Sequence, residues 1–395
     1  MSFTKRINAL QPSATMAVME AAAQLRAQGV DIISFGAGEP DFDTPDHISN
    51  AAKHALDEGK TRYTPASGTP SLKQAIVEKL KKDNGLDYEA SQIVVSNGAK
   101  HSLFNILMAL FEDGDEVIVL TPYWVTYPEL VKLTGAEPVY VETKAEDNFQ
   151  LTRDQLRRGI TSRTKGMIIN TPSNPSGAVL NRESLQAVVD VANEHDLWII
   201  SDECYEALVY DGEHVCLAGL EGGYERTITV QSMSKAFAMT GWRIGYTAST
   251  PELAKAMGKL QGQATSNPNS IAQYASEHAL LTEPEFLAEW KTAFVERREY
   301  MVDALNAMPG VECLKPEGAF YVFPKISGLF GKKAGDVVIE NDMDLTKYLI
   351  DEAHITVVPG SAFGAGEHVR LSYATSMDAI KDGLDRFAKA VAKLT

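Results

Sequence analysis

Short apolar runs punctuate the chain, and each ends in a loop rich in Gly, Pro, Ser or Asn before a helical pattern begins. IVV (Ile93–Val95) leads into SNGAK and then the helix-like HSLFNILMALF, and EVIVL (Glu116–Leu120) leads into TPYWVTY. GMII (Gly166–Ile169) precedes NTPSNPSG, LWII (Leu197–Ile200) precedes SDECYE, and TITV (Thr227–Val230) precedes QSMSKAF. Short β-rich runs alternating with helices predict an α/β fold with a mostly parallel sheet covered on both faces. In such sheets the ligand sits at the carboxyl ends of the strands. That is where this chain places its unusual polar residues.

Beyond about residue 284 the pattern changes. A long charged helical stretch, Glu285 to Met308, is followed by GAFYVF, ITVVPG, VRLSYA and an amphipathic segment from Met377 to Leu394. We therefore expect a large domain over 46–284 and a smaller α+β domain over 285–395, to which residues 1–45 return as an N-terminal arm.

Composition narrows the function. Of 395 residues, 37 are Lys or Arg and 53 are Asp or Glu, a net charge of −16 that argues against a nucleic-acid footprint. Three widely spaced cysteines with no C-x-x-C pair predict reduced thiols and a cytoplasmic location. The eight histidines form no H-x-x-x-H or H-E-x-x-H pair, so no metal is expected. No signal peptide is evident, and the apolar run Phe104 to Phe111 is too short to span a bilayer.

Several residues suggest chemistry, although each has an ordinary use as well. Lys235 lies in QSMSKAFAMTGWRIGY, a stretch poor in charge. A lone lysine is usually solvated, but burial after a strand lowers its pKa and frees the amine as a nucleophile. Arg243, flanked by Trp242 and Ile244 in what reads as a strand, suits a buried anion, with Ser232 as a second donor. The turn Ser96–Lys100 opens a helix, so its N–H groups make either a phosphate cradle or a plain capped start. Asp202 ends the run LWIIS and serves either as an N-cap or as the partner of a buried cationic nitrogen, with Tyr205 close by. Asn174 offers an amide between two prolines, and Trp124 offers a face on which a flat ring stacks. Together these describe one ligand, with a phosphate, a planar ring, a protonated ring nitrogen, a ring oxygen and an aldehyde. Pyridoxal 5′-phosphate has those parts.

The stretch SMSKAFAMTGWRIG (Ser232–Gly245) resembles the lysine-attachment motif of the class I/II pyridoxal-phosphate aminotransferases. GAGEPDFDTP, RYTPASG, PYWVTYPE, SNPSGAV, SDECYE, GAFYVFP and VRLSYATS extend the resemblance in order along the chain, closest to bacterial aspartate aminotransferases with PSAT near their start. The resemblance implies a fold-type I enzyme, a homodimer with shared active sites, and ping-pong transfer from L-aspartate to 2-oxoglutarate. It makes Lys235 the Schiff-base lysine and proton shuttle, and Asp202 the partner of the ring nitrogen. Tyr205 and Asn174 would hold the ring hydroxyl, and Trp124 would stack on the ring. The backbone of Gly98, Ala99 and Lys100, with Ser232 and Arg243, would hold the phosphate, joined by Tyr63 from the partner subunit. Gly38, Trp124, Asn174 and Arg370 would contact substrate, Arg370 through the α-carboxylate.

The segment Gln261–Ser270 lacks the arginine by which one branch of the family holds a distal carboxylate. Lys100 is the candidate replacement, with Ser13 and Thr15 as neutral donors. Gln11 stands where prephenate-accepting relatives often carry lysine. An aromatic, alanine or prephenate aminotransferase and a β-lyase stay open within the same cofactor site. A regulator built on this fold would need a DNA-binding domain, and a nucleotide-binding dehydrogenase would need its Gly-rich turn to open a helix, whereas GAGEPDF runs into proline.

Overall fold

The computed structural model describes residues 3–395. Seven strands build its main sheet: β1 (Ile93–Ser96), β2 (Glu116–Thr121), β3 (Glu137–Glu142), β4 (Thr164–Asn170), β5 (Trp198–Asp202), β6 (Thr227–Ser232) and β7 (Gly245–Ala248). They lie in the order β1-β7-β6-β5-β4-β2-β3. The five central and outer strands β6, β5, β4, β2 and β3 pair in parallel, whereas β7 runs antiparallel to both of its neighbours. The expected mostly parallel α/β sheet is present, with one strand reversed.

Successive residues of these strands face opposite sides. Val117, Val119, Ile168 and Ile200 pack with Leu103, Ile106 and Met257 on one face. Ile118, Met167, Ile169 and Ile199 pack with Leu185, Val188 and Ala192 on the other. Both faces are dry, which is why the strands read as continuous apolar runs and not as alternating ones. Each such side chain contributes about 1.5–3 kcal/mol on leaving water. The covering helices start where the sequence supplies a cap. Asn181 accepts from Ser184 N at the start of Arg182–His195, and Thr250 accepts from Leu253 N ahead of Pro251–Ala264.

A second core gathers Phe35, Phe294, Met301, Phe320, Tyr373 and Phe387. It lies under helices Phe286–Asn306, Asp342–Ala353 and Met377–Val391 and a three-stranded antiparallel sheet of Val358–Pro359, Val369–Ser372 and Tyr321–Val322. The N-terminal segment joins it, since Ile33 and Ser34 pair in parallel with Ile355 and Thr356. Two details differ from the sequence reading. The last helix stops at Val391. GWRIGYTA is extended only from Gly245, because Thr240–Trp242 form a short helical turn and Arg243 adopts φ 56°, a left-handed conformation no strand accommodates. Among the described residues no helix is long and apolar enough to cross a membrane.

Candidate active site

The carboxyl ends of β4, β5 and β6 open into a cavity of about 360 Å³ that is closed on its far side by Tyr321 and Arg370. Gly38, Ala99, Lys100, Trp124, Asn174 and Asp202 line it, as do Tyr205, Ser232, Lys235 and Arg243. Two expected residues stand outside. Gly98 lies just behind the rim at φ +81°, where an added Cβ would strike the Arg243 guanidinium. Tyr63 is 90% exposed and does not line the cavity of its own chain.

Lys235 is delivered by the short helix Met233–Ala236 that follows β6. Its ammonium donates to the Gly38 carbonyl and lies 5.7 Å from the ring centroids of both Tyr205 and Phe320. Burial pushes its pKa down to about 8, the direction that frees an amine to act as nucleophile or base.

Asp202 is fully enclosed at the end of β5. Its Oδ2 accepts from the Tyr127 hydroxyl at 2.7 Å, and its Oδ1 accepts from Cys204 N at 3.2 Å. Asn170 Nδ2 donates to the Asp202 carbonyl at 2.9 Å, bracing the strand end. Burial raises the carboxyl's pKa, against the lowering effect of the Tyr127 and Cys204 hydrogen bonds. Among the described residues no cation forms an ion pair with it.

The turn before helix Ala99–Leu110 has no side-chain cap among the described residues, so its first N–H groups lack such a partner. Gly245, opening β7, lets this turn press against the sheet, since a Cβ there would collide with Ala99 N. Ser232 Oγ accepts from Ser234 N at 3.0 Å. Arg243 donates to the Thr240 carbonyl at 2.7 Å and is exposed at the cavity rim, not buried as its apolar flanks suggested, because its left-handed turn swings it out of the sheet. Lys100 lies across the mouth, its ammonium 5.0 Å over the Trp124 ring.

Arg370 is 1% exposed. Its Nη1 donates to Asn174 Oδ1 and its Nη2 to the Gly36 carbonyl, both at 2.9 Å, and its guanidinium lies between the rings of Tyr321 (4.5 Å) and Phe363 (5.2 Å). Tyr321 also shares a 2.8 Å hydrogen bond with the Tyr205 hydroxyl. Tyr127 and Tyr321 were missed by the sequence reading. Tyr127 had a usable signal, being one helical turn beyond Trp124 in PYWVTY, whereas Tyr321 meets Tyr205 across 116 positions.

His214 Nε2 lies 2.8 Å from Glu203 Oε2. Glu203, Glu206 and His214 bring possible metal-ligand atoms within 4.8 Å of one another. The cation at that cluster is the Lys79 ammonium, hydrogen-bonded to Glu206.

The family model for aminotransferase class I and II matches residues 30–387. The chain belongs to the class I and II aminotransferases. The chain is 46% identical over 396 residues to the aspartate aminotransferase of Bacillus subtilis, covering 100% of both. It is 48% identical to the aspartate/prephenate aminotransferase of Cereibacter sphaeroides, covering 98% of each. The solved aspartate aminotransferase of Rhizobium meliloti superposes with a TM-score of 0.97 at 44% identity and full coverage of both chains. That of Thermus thermophilus with maleate superposes at 0.94 and 42%, covering 99% of this chain and 100% of that one. The aminotransferase is a pyridoxal 5′-phosphate enzyme. The donor set suits that group. A buried carboxylate without a counter-cation is costly unless a cation is brought to it, and the Arg370 Nε is likewise buried without a partner.

Proposed function

We propose that the aminotransferase transfers the amino group of L-aspartate to 2-oxoglutarate by a ping-pong mechanism, as an aspartate transaminase. The carrying observation is that Arg370 and Lys100 line the same cavity as Lys235. With Arg243 assigned to the phosphate, two further cations in the cavity of a reactive amine suit a substrate with two carboxylates. The Thermus relative's maleate is also a four-carbon dicarboxylate.

Bound pyridoxal phosphate supplies an aldehyde for the amino group and a sink for the electrons left at Cα. Lys235 would hold the cofactor through its Nζ, and the same amine would move the proton at Cα. With its pKa near 8 the amine is partly neutral at physiological pH, as a base must be. Asp202 would stabilise positive charge on the ring nitrogen. Tyr205 and Asn174 would hold the ring hydroxyl and Trp124 would stack on the ring. The backbone of Gly98, Ala99 and Lys100, with Ser232 and Arg243, would hold the phosphate. Arg370, held against two aromatic faces, would take the α-carboxylate as a planar fork and so orient Cα for the lysine. Gly38, Trp124 and Asn174 complete the substrate contacts, and Lys100, Ser13 and Thr15 meet the distal carboxylate. The protein works in the cytoplasm as a homodimer, to whose partner site the exposed Tyr63 contributes. Residues 46–284 form the cofactor-holding domain, and 1–45 with 285–395 the smaller one.

A second reading has support in the Cereibacter relative's name, which includes prephenate. Gln11 weighs against it. Its backbone donates to Glu129 at 2.7 Å, and its side chain offers no charge. Adding L-aspartate alone to the holoenzyme should abolish the cofactor's visible band, and 2-oxoglutarate should restore it. A band indifferent to aspartate but responsive to alanine or phenylalanine would replace the amino donor, and a band restored by prephenate and not by 2-oxoglutarate would replace the acceptor.

A further inference from the structure

Asp202 faces the cavity with one oxygen anchored by a phenol that belongs to no assigned subsite. Tyr127 is the second residue of the helix Thr126–Thr134 beyond Trp124, is 3% exposed, and directs its hydroxyl at Asp202 Oδ2 over 2.7 Å. Trp124 packs edge-on against its ring at 5.4 Å and 84°, so the phenol cannot swing away without disturbing the aromatic wall of the cavity. Its O–H has a buried carboxylate as its acceptor, and a phenol is a donor that stays neutral beside an anion. We infer that Tyr127 is a positioning residue for Asp202, fixing the carboxylate's rotamer and keeping its negative charge on the side that meets the cofactor's ring nitrogen. This rests on the assignment of Asp202 to that nitrogen.

The physical case is one of competing demands. A fully enclosed carboxylate tends to take up a proton. Were it to do so, it would face a cationic nitrogen as a neutral acid and lose its hold on the charge. A hydrogen bond from Tyr127 favours the ionised form without bringing a counter-charge that would satisfy it. An arginine or lysine in the same place would satisfy Asp202 outright and leave nothing for the ring nitrogen. The other titratable groups around the pair are Glu203 and Cys204 in the same turn, Tyr205 three residues on, and Lys235 from the segment after β6.

The test compares holoenzymes carrying Tyr127→Phe, Asp202→Asn, both, and Tyr123→Phe. Tyr123 sits in the same loop, stacks on Tyr140 and does not touch Asp202. Two quantities are read for each: the pH midpoint of the bound cofactor's visible absorption, and its dissociation constant. Less positive charge held at the ring raises the proton affinity of the conjugated nitrogen through which Lys235 holds the cofactor. Tyr127→Phe should therefore raise the midpoint by about one pH unit and weaken cofactor binding about tenfold. Asp202→Asn should move both further in the same direction. Adding Tyr127→Phe to Asp202→Asn should then change neither, because the phenol acts through the carboxylate. Tyr123→Phe should match the parent.

An unmoved midpoint in Tyr127→Phe, even with a lowered melting temperature, would overturn the inference and leave the phenol a packing group. So would full additivity in the double variant. If Asp202→Asn itself leaves the midpoint unmoved, the assignment of Asp202 fails first and the inference falls with it. If Tyr127→Phe proves too unstable to load, 3-fluorotyrosine at 127 keeps the ring's shape and changes only the donor's acidity. An unchanged midpoint there would equally refute the role.

Discussion

The turn from Asp202 to Glu206 presents two faces that carry similar groups to different ends. Toward the cavity it sends Asp202 and Tyr205, and away from it Glu203 and Glu206. Glu203 is saturated. It accepts from Ser201 Oγ at 2.7 Å and Cys216 Sγ at 3.3 Å, and it pairs with His214. Glu206 binds Lys79 and accepts from Asn84 at 2.8 Å. Among the described residues Asp202 has two neutral donors and no cation. Burial alone therefore does not mark a functional carboxylate, since Glu203 is as enclosed as Asp202. What separates them is the missing counter-charge: one face closes its electrostatics within the chain, and the other leaves it for a ligand to complete.

Substitutions on the two faces should accordingly fail in different ways. The largest effect belongs to the open face. Lys235→Ala should abolish transamination, a loss of at least about a thousandfold given what a base and covalent anchor contribute, while the melting temperature without cofactor holds or rises. Near-normal turnover would remove the mechanism. On the closed face, Lys79→Ala leaves Glu206 buried without its cation and should cost about 3 kcal/mol of folding free energy by urea denaturation. Activity per folded molecule should persist, and a selective loss of kcat with unchanged stability would erase the contrast between the faces.

His368 offers a third, smaller case, enclosed yet with neither ring nitrogen bonded. It stacks on Phe323 at 4.7 Å, and burial pushes its pKa down to about 4. The unfolded chain then binds a proton at this site between pH 6.5 and about 4 that the folded chain refuses, so stability falls as pH drops through that window. His368→Phe should flatten that decline by about 2 kcal/mol, read from urea midpoints at pH 7 and pH 4.5. An unaltered slope would mean the ring gains a proton in place.

Much of this was legible in the sequence, and the reason is local. Asp202, Ser232 and the Ser96–Lys100 turn stand at the ends of apolar runs, so the rule that α/β ligands gather at strand ends brought them together before any coordinates did. The Lys235 motif supplied the chemistry. What escaped depends on side-chain partners far apart in the chain, such as Tyr127 with Asp202 or Tyr321 with Tyr205. The exposure of Arg243 escaped too, because hydrophobic flanks speak to burial only if the backbone is extended, and there it is left-handed. The division of SDECYE into an open and a closed face was also invisible. The three acids of that turn look alike until their neighbours are known.

The reversed strand β7 has a consequence of its own. Because it runs against β6, its first residue lies beside the last residues of the parallel strands, and Ser232 pairs with Gly245. Lys235 and Arg243 are thus carried by one hairpin connection, which closes a short loop at small entropic cost. The proposed carboxylate clamp is assembled otherwise, since Arg370 reaches Asn174 across 196 positions and the Gly36 carbonyl across 334. Assembly of the two ends of the site therefore has different reach along the chain. The proposed cofactor anchor needs only neighbours, whereas the proposed substrate anchor exists only when the beginning, middle and end of the polypeptide have met.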